Sequence, residues 1–299
     1  MTDADWNRRD FFRRTAIFGA AALAGPALLA ACSKVNNGGD TLSQAQKSGT
    51  IKIGIAGEQP YGYTDKTGKV TGEAPEVARA IFKKLGVNNV QAQQTSFDGL
   101  IQGLNAGQYD MVAAGMDITA KRCQSATFSV PDYTALVAFL VPKGNPQGVV
   151  DFDTAKAKGV KLAVESGAIE SDYATQSGVP ASQLTSFESP DELLSAVTTG
   201  RAYAAILTDI SFKTLVKQNP TAAVEVAPGF MPTINGKKQG ETGGFVFRKN
   251  ETDLVGKFND QLTAMHKSGE WAQIVAPFGF TSSNIPAADV TTASLCAAG

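Results

Sequence analysis

Histidine is almost absent from this chain: one residue in 299, His266, which excludes a multi-histidine metal site. Charge of one sign is not in excess either, with 27 Lys+Arg against 28 Asp+Glu. That balance sets up no basic field, so nucleic acid and anionic lipid surfaces are poor partners. Neither GxxxxGKS/T nor a GxGxxG after a strand occurs, so the glycines form no phosphate cradle. No apolar run is comfortable as a membrane span. The longest, Ala16 to Ala31, is short and broken by Gly25 and Pro26. Cysteine is scarce, with three residues: Cys32, Cys123 and Cys296.

What is present begins with an address. Arg8, Arg9, Arg13 and Arg14 precede the apolar run, and Asn7-Arg8-Arg9-Asp10-Phe11-Phe12 resembles a twin-arginine export signal. The run closes on Leu29-Ala30-Ala31-Cys32, which looks like a bacterial lipobox. Cleavage of residues 1–31 would leave Cys32 as a lipid-bearing amino terminus at the outer face of the cell membrane. The alternative is a plain secretory signal with a chance cysteine; the position of Cys32 at the junction with polar sequence favours the lipobox. Residues 32–49 are polar and glycine-containing and read as a flexible tether. The remaining pair, Cys123 and Cys296, is an even number in an exported protein, which suggests one disulfide tying the tail, 281–299, to the body. Two unrelated thiols are the alternative.

Regular structure is expected from Ile51, where Ile51, Ile53 and Ile55 alternate with Lys52 and Gly54 as in a strand. From Glu73 the period changes: Val77, Ile81 and Leu85 recur at helical spacing, and Gly86 ends the helix. A strand over Val90–Thr95, a helix over Asp98–Asn105 capped by Asp98, and a buried strand over Asp110–Ala114 follow. Ala135–Val141 is predicted as a strand, closed by the breaker cluster Pro142-Lys143-Gly144-Asn145-Pro146. The rhythm then restarts: strand Lys161–Val164, helices Glu170–Gln176 and Pro190–Thr199, strand Ala204–Leu207. Strand Gly244–Arg248 leads into an amphipathic helix, Asp253–Lys267. Such alternation implies an α/β fold of parallel sheets with helices on both faces. The restart implies two lobes, 50–142 with 243–280, and 143–242, and a ligand cleft beyond the strand ends between them.

Several motifs carry a family resemblance. Gly115-Met116-Asp117-Ile118-Thr119-Ala120-Lys121-Arg122 is followed by Phe128-Ser129-Val130-Pro131-Asp132-Tyr133, then by Ser268-Gly269-Glu270-Trp271 and Pro277-Phe278-Gly279. In this order and spacing they resemble the extracellular solute-binding proteins of polar amino-acid ABC importers, from about Ile51 onward. Gly57-Glu58-Gln59-Pro60-Tyr61-Gly62-Tyr63, Gly72-Glu73-Ala74-Pro75-Glu76, Gly167-Ala168-Ile169-Glu170 and the two cysteine motifs look most like the ectoine and hydroxyectoine binders of that family. The resemblance implies a two-lobed, type II periplasmic-binding-protein fold with two hinge crossovers. It also implies a Cys123–Cys296 disulfide, a small zwitterionic ligand, an ABC permease with its ATPase as partners, a monomer, and no cofactor or metal.

It further implies a ligand set. Arg122 follows the strand ending at Ala114 and a loop that opens into a helical turn at Thr119. A guanidinium there can grip a carboxylate bidentately while helix-start amides add donors; a solvated surface arginine is the alternative. Glu58 follows the first strand, where a carboxylate can pair with a cationic ring or amine. Tyr61 and Phe97 follow predicted strands and match two walls of an aromatic box; core packing is the other reading of both. Gly167, Ala168 and Glu170 belong to the matching motif of the second lobe. Thr208 and Asp209 follow its strand ending at Leu207, with Asp209 equally readable as a helix N-cap.

Two positions depart from the ectoine binders. Asp117 stands where several of them carry an aromatic, and Gly-Met-Asp-Ile-Thr looks more like arginine-binding relatives. Ala168 replaces a threonine. Glu58, Asp117 and Asp209 together make the cleft more acidic than a neutral zwitterion requires, which points to a ligand with extra positive charge. Enzymes such as dehydratases and lyases exist on the same fold, but the chain lacks a second histidine and a nucleophile motif. A receptor's sensing domain would need a transmembrane helix and a cytoplasmic output.

Overall fold

A computed structural model describes residues 40–234 and 236–297. The export signal, Cys32 and the first part of the expected tether lie outside the described residues. The first lobe opens with α1 (Thr41–Ser48), β1 (Thr50–Ile55) and the hairpin of β2 (Tyr63–Thr64) and β3 (Val70–Thr71). It continues through α2 (Glu73–Lys84), β4 (Asn89–Gln94), α3 (Leu100–Asn105), β5 (Met111–Asp117), α4 (Ala120–Cys123), β6 (Thr127–Phe128) and β7 (Tyr133–Ala135). The second lobe holds β8 (Val137–Pro142), α5 (Phe152–Lys158), β9 (Leu162–Glu165), α6 (Ile169–Gln176), β10 (Leu184–Phe187) and α7 (Pro190–Thr198). It ends with β11 (Ala204–Thr208), α8 (Asp209–Gln218), β12 (Val224–Val226) and the hairpin of β13 (Thr233–Ile234) and β14 (Lys237–Lys238). The chain returns to the first lobe with β15 (Glu241–Phe247), α9 (Thr252–Ser268), α10 (Glu270–Val275) and α11 (Thr292–Ala297).

Each lobe is built on one sheet covered on both faces. The first has the order β4-β1-β5-β15-β6, with β7 also paired to β15; the second has the order β10-β9-β11-β8-β12. Apolar clusters fill both sides of each: Ile51, Ile53 and Val77 with Phe258 and Trp271 on one face of the first lobe, Leu100, Leu104 and Phe128 on the other. Phe139, Val164 and Ile206 face one way in the second lobe, Leu140, Leu193 and Phe212 the other.

Four expectations need correction. The sheets are mixed rather than parallel: β1 runs parallel to β4 and β5, but β15 is antiparallel to β5, and β8 is antiparallel to β11 and β12. The strands next to the crossovers run against their neighbours because the chain leaves one lobe and returns to it in opposite directions. The predicted strand Ala135–Val141 is divided between the lobes. Ala135 pairs with Glu241 in the first sheet, while Val137 pairs with Thr208 in the second, so the crossing lies at Leu136 and not at residue 142. The helix expected from Asp98 starts at Leu100; its N-cap is Gly99, and Asp98 instead accepts from Ser96 Oγ at 2.6 Å. Finally, the expected tether contains α1. Leu42 and Ala45 of that helix enter the first core, and Thr41 donates to buried Glu251, which also receives Arg248 at 3.0 Å. Two apolar residues in a polar stretch are too weak a local signal; the docking site supplies the rest.

The tail is tied down. Cys123 and Cys296 form a disulfide between α4 and α11, and Thr292 donates to the Ser129 carbonyl at 2.6 Å. The bond spans 173 residues of chain. Cross-links over loops of that length restrict the unfolded chain strongly, so Cys296→Ser should lower the unfolding free energy by about 2–4 kcal/mol. Urea denaturation with and without the substitution measures this; an unchanged midpoint would mean that the tie contributes nothing to stability.

Candidate functional site

The cleft is closed, and its two walls are joined by a hydroxyl relay. Glu58 lies in the loop after β1, 5% exposed. Tyr61 Oη donates to Thr208 Oγ1 across the lobes at 3.2 Å, Thr208 Oγ1 donates to Ser211 Oγ at 2.9 Å, and Ser211 Oγ donates to Glu58 Oε1 at 2.6 Å. Thr208 also caps α8 by accepting from the Ser211 N–H, which positions both hydroxyls. The Tyr61 ring is fully buried against Tyr133 and Phe280, with centroids 5.0 and 5.5 Å away. Gly115, at φ +63°, is what lets the ring lie there, since a Cβ would stand 2.2 Å from Tyr61 Cδ1. Tyr61 is therefore a core ring with a polar tip at the lobe boundary.

Arg122 stands at the mouth of the cleft. Thr119 caps α4 and receives the Arg122 N–H at 3.2 Å. The guanidinium lies 5.4 Å over the Phe97 ring, so Phe97 seats the arginine by a cation–π contact. Nη1 donates to the Asp117 carbonyl and Nη2 to the Gly167 carbonyl of the second lobe, both at 2.8 Å. Both hydrogen bonds end on backbone carbonyls, which leaves donors of the fork for an anion. Gly167 (φ +75°) approaches Asp98 so closely that a Cβ would sit 2.6 Å from Asp98 Cβ. Ala168 is the N-cap of α6 and has no hydroxyl to offer. Phe97, Thr119, Arg122 and Gly167 line a cavity of about 260 Å³.

Behind them lies a set of buried carboxyls: Glu58, Asp117, Glu165, Glu170 and Glu241. Burial pushes Glu58 up to about 7, against the Ser211 hydrogen bond that lowers it. Asp117 is raised to about 6 by burial, with Arg122 pulling the other way, and Glu170 to about 8 by burial and then by Asp117. Glu165 and Glu241 are held well above the usual range by burial first and by neighbouring carboxylates second. Such a volume attracts either protons or a ligand's positive charge. Among the described residues no three His, Cys, Asp or Glu are grouped to hold a metal ion.

Asp209 takes neither of its expected roles. It is the first residue of α8, behind the cap Thr208; one oxygen accepts from the Leu136 N–H at the crossover, 3.3 Å, and the other pairs with Lys213. It lines a separate groove of about 820 Å³ beside the crossover, with Leu136 and Lys217. Three site residues went unread in the sequence. Glu165 ends a strand of the second lobe, the same signal that singled out Glu58. Ser211 follows Thr208 at capping distance. Glu241 gives no signal, because it begins an antiparallel strand, where strand ends do not mark ligand positions.

Residues 51–281 match the family of bacterial extracellular solute-binding proteins, family 3. The chain belongs to this family. A probable amino-acid ABC transporter periplasmic-binding protein of Sinorhizobium fredii is 36% identical over 263 residues, 87% of each chain. The solved structure of EhuB in complex with hydroxyectoine superposes with a TM-score of 0.78 at 32% identity, covering 87% of this chain and 99% of that one. An ancestral arginine-binding protein bound to arginine gives 0.67 at 31% identity, over 77% and 98%. The solute-binding protein shares their two-lobed α/β fold. It serves an amino-acid ABC importer outside the cytoplasm, takes a small amino-acid-like ligand, and works with a membrane permease and ATPase. No helix among the described residues is long and apolar enough to cross a membrane.

The raised carboxyls set a pH dependence. They hold protons that the unfolded chain, with ordinary values near 4.5 for Glu and 3.8 for Asp, has already released. Stability is therefore fully present below those unfolded values and is lost as pH rises through about 6 to 8. Buried His266, lowered by desolvation, opposes this only below its ordinary 6.5. The ligand-free protein should melt at a lower temperature at pH 8 than at pH 6; a flat or rising profile would show the carboxyls to be ionised without penalty.

Proposed function

We propose that this solute-binding protein captures ectoine or hydroxyectoine and delivers it to its importer by lobe closure. The observation that carries this reading is the pairing of opposite chemistries in one cleft. Arg122, seated on Phe97 and bonded only to carbonyls, suits a carboxylate. The buried acids Glu58, Asp117 and Glu170 suit a delocalised nitrogen cation. Ectoine carries both charges on one small ring. The likeness to EhuB bound to hydroxyectoine supports the choice. Open and closed forms interconvert, and a ligand that touches both lobes favours the closed one. Gly167, Ala168, Thr119 and Thr208 frame the ligand, while Tyr61 supplies its hydroxyl. The protein is anchored through Cys32 at the outer face of the membrane, on the strength of Leu29-Ala30-Ala31-Cys32.

Arginine is the second reading. Buried Asp117, with Oδ1 free of any hydrogen bond, favours it, as does the likeness to the ancestral arginine binder.

A thermal-shift screen of residues 40–299 tests both. A ligand at a hundred times its dissociation constant adds about 2.7 kcal/mol to stability. Ectoine and hydroxyectoine should raise the melting temperature, and a response to arginine alone would replace the first reading by the second. Arg122→Ala should weaken either ligand by at least about 30-fold, since truncating one side of a desolvated charge pair costs about 2 kcal/mol or more. Unchanged affinity would remove Arg122 from the site. Asp117→Asn should weaken arginine more than ectoine.

A further inference from the structure

Glu241 is a buried acid without a partner. It opens β15, its backbone carbonyl accepting from Thr134 Oγ1 at 3.1 Å, and its side chain is fully buried. Neither carboxyl oxygen receives a hydrogen bond. It meets Glu170, brought from the opposite lobe by α6, at a contact that becomes a hydrogen bond only while one of the two carboxyls holds a proton. Asp117 at the end of β5 and Glu58 in the loop after β1 face the same point. The phenols of Tyr61, Tyr133 and Tyr173 also lie within its field. From β9, Glu165 adds its charge against Glu170 and Glu58. Arg122 is the cation that acts on Asp117 and Glu170, and its hydrogen bonds are directed to carbonyls at the cleft mouth.

Two carboxyls from opposite lobes do not meet in a desolvated volume without something positive between them. A metal ion is a poor fit, as no three suitable side chains among the described residues converge on one point. The remaining candidates are a proton and the ligand. We propose that Glu241 and Glu170 are the seat of the ligand's cationic half, an amidinium or guanidinium whose N–H groups donate to both carboxylates. Its arrival breaks the O–H bond of the proton-bearing carboxyl and releases that proton to solvent. Glu241 is thus a specificity-determining residue: it rewards a ligand with a fixed, delocalised positive charge and rejects a neutral amide of the same shape. This rests on the reading of the cleft as a site for a carboxylate-bearing cation.

The experiment is titration calorimetry of the full described domain at pH 7, in two buffers of different ionisation enthalpy. Hydroxyectoine, ectoine and arginine are the ligands, with citrulline as arginine's neutral counterpart. The wild-type protein should release roughly one proton per ligand bound. Glu241→Gln and, as an independent variant on the other lobe, Glu170→Gln should each reduce that number towards zero and weaken binding by about tenfold or more, the effect of losing a hydrogen bond to a charged group. Citrulline should bind worse than arginine to the wild-type protein, by a margin that shrinks in both variants. Wild-type binding without proton release, or variants that keep the wild-type affinity and proton count, would overturn the assignment while leaving the ligand class intact. A wild-type protein that binds none of the cationic ligands would overturn the ligand class, and this proposal with it.

Discussion

Closing two lobes over Glu58, Asp117, Glu165, Glu170 and Glu241 removes water from carboxyls contributed by both halves of the molecule. Desolvation of like charges opposes that closure, and the structure answers it with groups that are individually modest. Ser211 donates to Glu58, Arg122 pulls on Asp117 and Glu170, and the other acids rise until they hold protons. The relay from Tyr61 through Thr208 and Ser211 to Glu58 ties the lobes together through hydroxyls, which can donate to a carboxylate and accept from the next group in line. The same acids that resist an empty closed cleft would reward one that holds a cation, so the electrostatic penalty and the ligand's affinity have one origin.

The crossover is placed to transmit this. Leu136 lies between a strand of the first sheet and a strand of the second, and its N–H is held by Asp209 at the start of α8. The same helix carries Ser211, which reaches Glu58. A movement of α8 thus acts at once on the crossover and on an acid of the cleft, a short mechanical path between ligand and lobe angle. The first lobe around it is firmly built. Arg248 binds Glu251, Thr41 and the Tyr109 carbonyl, and Trp271 donates to buried Asp132, which shares its environment with Glu73. These contacts explain why α1 belongs to the folded domain.

Much of this was legible from residues alone. The period-two run at Ile51 and the helical spacing from Glu73 to Leu85 each named their element, because one face of each is buried and the other is wet. The restart of the pattern after Pro142 revealed a second lobe, and the place of Arg122 after a strand marked it as a site residue. The parts that were misread share a cause. The split at Leu136, the docking of α1, the start of α3 and the role of Asp209 all depend on a partner distant in sequence, such as Glu241, Glu251 or the Leu136 amide.

The sequence by itself determined the two-lobed α/β plan, the family motifs and the surplus of acid near Glu58 and Asp117, since periodicity and motif spacing are local properties. Only the tertiary structure decided that Glu241 faces Glu170, that Tyr61 shows the cleft a hydroxyl, and that Arg122 rests on Phe97. Those facts arise where one lobe meets the other or where β15 returns alongside β5, and the electrostatics of a carboxyl depend on what surrounds it in space.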